Sequence, residues 1–177
     1  MKKLFFAFLL FTFCSASATA EPLKWYDWTK TWINSFNALE VGDKAPNYLG
    51  VNEKGKPVTL EDFKGKTVFL NFWATWCPAC QREFVELPEI QSAFPRDDFQ
   101  VVTVNIYDSR EDLDSYLQQH PTPLTVIFAD KTVPESYRVH GIPANYLVDS
   151  DGVIINKWIG RQYLKTFKDA IKLHLGS

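Results

Sequence analysis

Two cysteines, Cys77 and Cys80, lie three positions apart in the segment NFWATWCPACQREF, which spans residues 71–84. The apolar run at residues 67–74 predicts a strand covered on both faces, and a helix is predicted to begin at Cys77. Free backbone N–H groups and the helix dipole make such a helix start electropositive. A thiol there ionises more readily, with a pKa lowered from about 8.5 to roughly 3.5–7.5. The spacing and placement therefore predict thiol–disulfide exchange.

The two sulfurs are expected to have different tasks. Cys77 lies nearer the open end of the predicted helix and should attack, whereas Cys80 lies one turn deeper and should resolve the mixed disulfide. Pro78 fits the first helical turn, where its missing N–H would have no intrahelical partner. Because Pro78 has no backbone N–H to donate to a sulfur, it should also affect the redox potential of the cysteine pair.

Two other interpretations of the cysteine pair are weaker. A structural disulfide across two residues closes a small loop and adds little stability. A structural zinc site usually needs four ligands, and the histidines are scattered without a matching spacing: His120, His140 and His174. We therefore predict no metal and no cofactor. His140 is interpreted either as an exposed loop residue or as a group that tunes the thiolate.

The N-terminus reads as a secretory signal peptide over residues 1–20. Lys2 and Lys3 precede an apolar run at residues 4–13, and SASATA supplies small residues for cleavage after Ala20. An uncleaved membrane anchor is the alternative, but spanning a bilayer needs about 20 apolar residues. Cys14 leaves with this segment, so the mature chain holds one cysteine pair in an oxidising compartment. The predicted location is the periplasm.

The chain has 177 residues and a formal charge of −2, which suits one domain and predicts no nucleic-acid partner. Residues 21–40 form a Trp-rich segment whose aromatic residues have helical spacing. They are Trp25, Trp28, Trp32 and Phe36. This predicted helix either packs on the domain or contacts a membrane surface or a partner.

Residues 41–177 alternate strand and helix patterns. A turn-rich start allows a hairpin, and strands are predicted at residues 67–74, 99–107, 123–130 and in a final hairpin at 144–160. Helices are predicted from residue 77, at 109–120 with Ser109 as N-cap, at 134–139 and at 161–175. Pro88 should kink the first of them. The order predicts an α/β fold with one mixed sheet and helices on both faces.

The segment FLNFWATWCPACQREF, at residues 69–84, resembles the thioredoxin superfamily, and within it the exported TlpA/ResA/DsbE (CcmG) type of thiol:disulfide oxidoreductase. YRVHGIPANYLVDSDGVI, at residues 137–154, resembles that group's proline loop and final hairpin. The resemblance runs from residue 41 to the C-terminus. It implies a thioredoxin-like fold, with a central mixed β-sheet, helices on both faces and an N-terminal hairpin extension.

The resemblance also implies roles for single residues. Cys77 matches the nucleophile and Cys80 the resolving thiol. Pro143 matches the family's cis-proline, and with Ile142 it would leave backbone groups free to pair with a partner's extended segment. Trp76, beside Cys77, belongs with Pro78 to the same active-site loop.

Glu83 matches an acidic residue that recurs in the exported group, with a proposed task in proton handling at the buried thiol. The alternative is an ordinary surface glutamate of the first helical turns. Four residues, in three places, depart from the family pattern. Asn71 replaces the buried aspartate of thioredoxin, Pro78 and Ala79 replace Gly-Pro, and Val85 stands where many relatives have proline.

The function that this resemblance implies is exchange of the Cys77-Cys80 dithiol with partner proteins, as a reductant in cytochrome c maturation or disulfide repair. Its electrons would come from a membrane donor of the DsbD type. A peroxiredoxin-like peroxidase is one alternative, although Ala74 stands where such enzymes carry threonine. A non-catalytic chaperone module that binds thiols or metals is another.

Overall fold

The computed structural model describes residues 39–176. The predicted signal peptide and the Trp-rich segment, except for Leu39 and Glu40, lie outside the described residues. Seven strands form one mixed sheet in the order β2-β1-β5-β4-β3-β6-β7. The strands are β1 (Tyr48–Val51), β2 (Pro57–Thr59), β3 (Thr67–Trp73), β4 (Phe99–Asn105), β5 (Thr125–Phe128), β6 (Ala144–Val148) and β7 (Ile154–Ile159). The helices are α1 (Pro78–Ala93), α2 (Arg110–Gln119), α3 (Thr132–Ser136) and α4 (Leu164–Leu175), with a short 3₁₀ helix at Leu60–Phe63.

Strand β3 lies inside the sheet and carries the cysteine pair at its carboxyl end. It pairs in parallel with β4 and antiparallel with β6, and β4 pairs in parallel with β5. The β1–β2 hairpin joins β5 through the pair Val51 and Phe128. The mixed sheet and its N-terminal hairpin extension confirm the predicted fold class.

Every residue of β3 is buried, because both sheet faces are covered. Phe69 packs on one face against Phe167 of α4, with ring centroids 4.8 Å apart, in a cluster that also contains Leu87 of α1. Phe72 packs on the other face against Tyr137, just after α3, with centroids also 4.8 Å apart. Alternate side chains of the strand thus enter two cores, and helices lie on both faces, as predicted.

The two longer helices that cover the first face bury the apolar stripes predicted for them, and in α1 these include Phe84 and Leu87. In α4, Phe167 and Ile171 are fully buried, and Leu164 and Leu175 are partly buried against the same cluster. Helix α1 includes Pro88 and continues to Ala93. Among residues 39–176, no helix combines the length and the apolar character that crossing a bilayer requires.

The predicted position of the short helix, residues 134–139, was wrong. Helix α3 begins earlier because the Asp130 carboxylate accepts a 2.8 Å hydrogen bond from the N–H of Thr132 and so starts the turn. It ends earlier because Arg138 adopts a left-handed backbone with φ 52°, which a right-handed helix does not allow.

Candidate active site

The cysteine pair lies where β3 passes into α1. Cys77 is the N-cap residue of α1, with an extended backbone, and its Sγ accepts a hydrogen bond from the N–H of Cys80 at 3.2 Å. The two sulfurs form a disulfide, with Cα atoms 5.2 Å apart. Cys80 is fully buried, whereas Cys77 keeps 7 % of its surface exposed. Only the first cysteine of the pair therefore reaches the surface.

A second chain segment lies against the sulfur of Cys77. The carbonyl oxygen of Ile142 is 4.0 Å from Cys77 Sγ, and the Ile142-Pro143 peptide bond is cis. The carbonyl of Pro143 accepts a 2.8 Å hydrogen bond from the N–H of Gly160, which ties this loop to the end of β7. The fold thus brings together two segments that are 65 residues apart in sequence.

The other predicted loop residues differ in exposure. Trp76, which directly precedes Cys77, is 61 % exposed. Pro78 is exposed at the first position of α1, and Ile142 is half-buried. His140 is exposed as well. An exposed apolar ring and a half-buried loop therefore lie next to Cys77.

Glu83 is fully buried on α1, three residues after Cys80. Its Oε1 accepts hydrogen bonds from the Nδ2 atoms of Asn71 at 2.9 Å and Asn145 at 2.8 Å. Its Oε2 accepts a 3.3 Å bond from the N–H of Gln162. Burial raises the pKa of the Glu83 carboxyl, and the hydrogen bonds from Asn145 and from the N–H of Gln162 partly oppose that rise. The structure thus shows a buried acid rather than a surface glutamate.

An apolar cluster surrounds the disulfide. Trp73, the last residue of β3, stacks on Phe84 of α1 with ring centroids 4.2 Å apart, and Leu113 of α2 completes the buried contact. Cys77 and Cys80 belong to the same cluster. Burial of this kind penalises a thiolate at the deeper sulfur, so the surroundings also distinguish the two cysteines.

Asp108, which was not identified from the sequence, holds the turn that precedes Cys77. Its carboxylate accepts hydrogen bonds from the N–H of Thr75 at 2.7 Å, from Thr75 Oγ1 at 2.9 Å and from Asn105 Nδ2 at 2.6 Å. The Gln81 side chain donates to the carbonyl of Thr75 at 2.5 Å. The sequence did contain a signal for this contact, because Asp108 follows β4, Thr75 follows β3, and parallel neighbouring strands end at the same edge of the sheet.

Tyr107 is a second residue that was missed from the sequence. It is 59 % exposed, has a left-handed backbone with φ 67°, and donates its hydroxyl to the carbonyl of Val139 at 3.3 Å. A non-glycine residue with this backbone is uncommon and costs energy. The bond links the loop after β4 to the segment that leads into the cis-proline.

The side chains of residues 39–176 include no group of three or more His, Cys, Asp or Glu that could hold a metal ion. What the site does offer is one accessible cysteine, one buried cysteine and one buried carboxyl, arranged along the first two turns of α1. These groups suit two-electron exchange between thiols and disulfides.

Comparison with known proteins identifies the family. The model of the AhpC/TSA family matches residues 41–157. The thiol-disulfide oxidoreductase ResA of a Bacillus cereus strain is 30% identical over 125 residues, which cover 70% of this chain and 72% of the relative. ResA of Bacillus subtilis (strain 168) is 28% identical over 137 residues, or 77% of this chain and 76% of the relative.

A solved structure gives the same result. A protein of Chlorobium tepidum, named as a thiol:disulfide interchange protein DsbE, superposes with a TM-score of 0.72 and 33% identity, over 78% of this chain and 100% of its own. The chain belongs to the AhpC/TSA family, and it is a thioredoxin-like thiol:disulfide oxidoreductase whose substrates are protein thiols and disulfides. The predicted family, fold and reaction class are thereby confirmed.

Proposed function

We propose that Cys77 is the attacking sulfur and Cys80 the resolving sulfur of this oxidoreductase. The Cys77 thiolate attacks one sulfur of a partner's disulfide, which forms a mixed disulfide and releases one partner thiolate. Cys80 then loses its proton and attacks Cys77 Sγ, which releases the second partner thiolate and closes the Cys77-Cys80 disulfide. Two electrons pass to the partner, and its two thiolates take up two protons. The observation that carries this order is that Cys77, at the helix N-cap, keeps some exposed surface, whereas Cys80 is fully buried.

Glu83 is the proposed acceptor of the Cys80 proton. It lies three residues further along α1, so both side chains occupy the same side of the helix. Its raised pKa brings the carboxyl closer to the range in which a base both holds and releases a proton near neutral pH. Asn71 supports this role, because an amide replaces the buried acid of thioredoxin and leaves Glu83 as the acidic group here.

The partner segment is proposed to bind along Ile142 and Pro143. Backbone groups beside a cis-proline can pair with an extended chain as an added strand does, and the Ile142 carbonyl already lies 4.0 Å from Cys77 Sγ. Trp76 would cover the other side of that segment, since its ring is exposed next to Cys77. Pro78, which is also exposed, would border the same segment at the start of α1.

The chain is proposed to act as an exported reductant in the periplasm, in cytochrome c maturation or in disulfide repair. The signal-like residues 1–20 support export, and a membrane donor of the DsbD type would then return electrons to Cys77 and Cys80. The Trp-rich residues 21–40 would pack on the domain, or alternatively contact the membrane or a partner. A redox titration of the Cys77-Cys80 pair against glutathione tests the direction of electron flow. We expect a potential nearer that of thioredoxin, about −270 mV, and a value near about −120 mV would contradict a reducing role.

The order of the sulfurs is tested by trapping. A Cys80→Ser variant should accumulate a mixed disulfide on Cys77 that a non-reducing gel and mass spectrometry detect. Cys77→Ser is the matched control and should trap nothing. Trapping by Cys77→Ser with none by Cys80→Ser would show that the roles are reversed.

The peroxidase alternative is tested separately. The match to the AhpC/TSA family is the reason to test for peroxidase activity. Against this activity, Ala74, three residues before Cys77, is buried and has no hydroxyl that could bind a peroxide. We expect slow peroxide consumption that depends on a dithiol partner. Substantial turnover without such a partner would favour the peroxidase.

A further inference from the structure

Two asparagine side chains from neighbouring strands meet one oxygen of Glu83. Asn71 Nδ2 and Asn145 Nδ2 both donate to Oε1, at 2.9 and 2.8 Å. Asn71 Nδ2 also donates to Asn145 Oδ1 at 2.8 Å, so the two amides hold each other as well. All three side chains are fully buried. The arrangement is a closed ring of three hydrogen bonds around a carboxylate oxygen.

The backbone fixes this ring. Asn71 and Asn145 are direct partners in the antiparallel pairing of β3 and β6, so their side chains leave the same face of the sheet, side by side. Helix α1 brings Glu83 onto that face. The N–H of Gln162, between β7 and α4, adds a 3.3 Å bond to Oε2. Four separate chain segments therefore converge on one carboxyl.

The charged groups near Glu83 partly balance each other. Arg161 favours the charged carboxylate and Glu86 disfavours it, and these two residues form an ion pair of 2.7 Å with each other. Cys80, on the same helix, does not titrate while it is in the disulfide. In the oxidised protein, the strongest local support for the carboxylate therefore comes from amide donors.

We propose that Asn71 and Asn145 form an amide clamp, a positioning pair that holds the Glu83 carboxyl in place and favours its charged form against the cost of burial. A desolvated carboxylate is costly unless donors satisfy it, and hydrogen bonds to the charged form favour ionisation. The clamp sets the pH at which Glu83 gains and loses its proton. Its consequence for catalysis rests on the proposed proton transfer between Cys80 and Glu83.

The test begins with the oxidised protein, in which neither cysteine titrates. Carboxyl ¹³C NMR follows Glu83, and Glu83→Gln identifies the signal by its disappearance. In Asn145→Ala, the titration midpoint should move upward by about one pH unit, because one of three hydrogen bonds to the carboxylate is lost. Asn71→Ala removes the other side-chain donor to Glu83 Oε1 without adding a charge. Its midpoint should also rise by about one pH unit, so this variant decides the question if Asn145→Ala does not fold.

Tyr146→Phe is the matched control. It also removes one buried hydrogen bond from β6, that from Tyr146 to the carbonyl of Tyr137 at 3.1 Å, but on the opposite face of the sheet. Its Glu83 midpoint should equal that of the wild type. An unchanged midpoint in folded Asn145→Ala or Asn71→Ala would overturn the clamp, and so would an equal upward shift in Tyr146→Phe.

A kinetic measurement separates the clamp from the proposed function. The resolving step is followed as release of a thiol from a mixed disulfide on Cys77, as a function of pH. If both the clamp and the proton-transfer role are correct, the pH midpoint of this thiol release should move upward in Asn145→Ala by as much as the NMR midpoint does. If the NMR midpoint moves while the kinetic profile of Asn145→Ala, like that of Glu83→Gln, matches the wild type, the clamp stands and the catalytic role of Glu83 is wrong.

Discussion

Replacing Asp108 by alanine should destabilise the protein and misplace Cys77. The half-buried carboxylate accepts three hydrogen bonds of 2.6–2.9 Å, two of them from Thr75 in the turn before the cysteine pair. A hydrogen bond to a charged group contributes about 1.5–3 kcal/mol, so three give an upper limit of about 4.5–9 kcal/mol. Because the site is half-exposed, water replaces part of the lost hydrogen bonding in the variant. We therefore expect the free energy of unfolding to fall by about 2–4 kcal/mol.

Urea unfolding of the oxidised protein measures this loss, and an insulin-type reduction assay should show slower exchange. Asp114→Ala is the matched control, because this acid forms an ion pair with Arg110 at 2.8 Å but is 48% exposed. Such a surface pair contributes about 0.3–0.5 kcal/mol. Hydrogen exchange of the Thr75 amide adds a local measurement. If Asp108→Ala and Asp114→Ala have the same unfolding free energy and equal protection at Thr75, the carboxylate does not hold the turn.

Two further outcomes are expected. Trp76→Ala should leave the unfolding free energy within about 0.5 kcal/mol of wild type, because the ring is exposed. It should slow exchange with protein disulfides more than with a small disulfide, and equal slowing would contradict a binding role. Burial raises the pKa of Glu83 above its usual 4.5, so the stability that this proton supplies is present below pH 4.5 and lost as pH rises through the folded-state pKa. Urea unfolding should therefore show Glu83→Gln gaining stability relative to wild type as pH rises from 4.5 through the folded-state pKa of Glu83, and a difference that does not change with pH would contradict this.

The sequence predicted the elements whose signals are local. The apolar run of β3 has no polar alternation, which marks a strand covered on both faces, and the periodic residues of α4 mark one helical face. The placement of Cys77 at the start of α1 and of Cys80 one turn deeper also follows from sequence, whereas the apolar cluster around the two sulfurs does not. The position of α3 was missed because a single side chain, that of Asp130, starts that helix.

The site residues that sequence missed are those whose partners are far away along the chain. Asp108 and Thr75 are 33 residues apart, and Asn145 and Glu83 are 62 residues apart. No periodicity links such pairs, so only the assembled sheet reveals them. Asn71 was noted as a departure from thioredoxin, but its partner on β6 could not be read from the sequence. Tyr107 was missed because its left-handed backbone leaves no signal in a residue other than glycine.

The ring of Asn71, Asn145 and Glu83 also affects how the chain finds its fold. A slip of one residue between β3 and β6 would turn one asparagine toward the opposite core, which is lined by apolar side chains such as Phe72. That amide and the carboxylate would then be desolvated without partners, at a cost of a few kcal/mol for each group. Apolar residues at these positions would tolerate several alignments of the two strands. The polar trio is satisfied in only one of them, and so it favours the native pairing of β3 and β6.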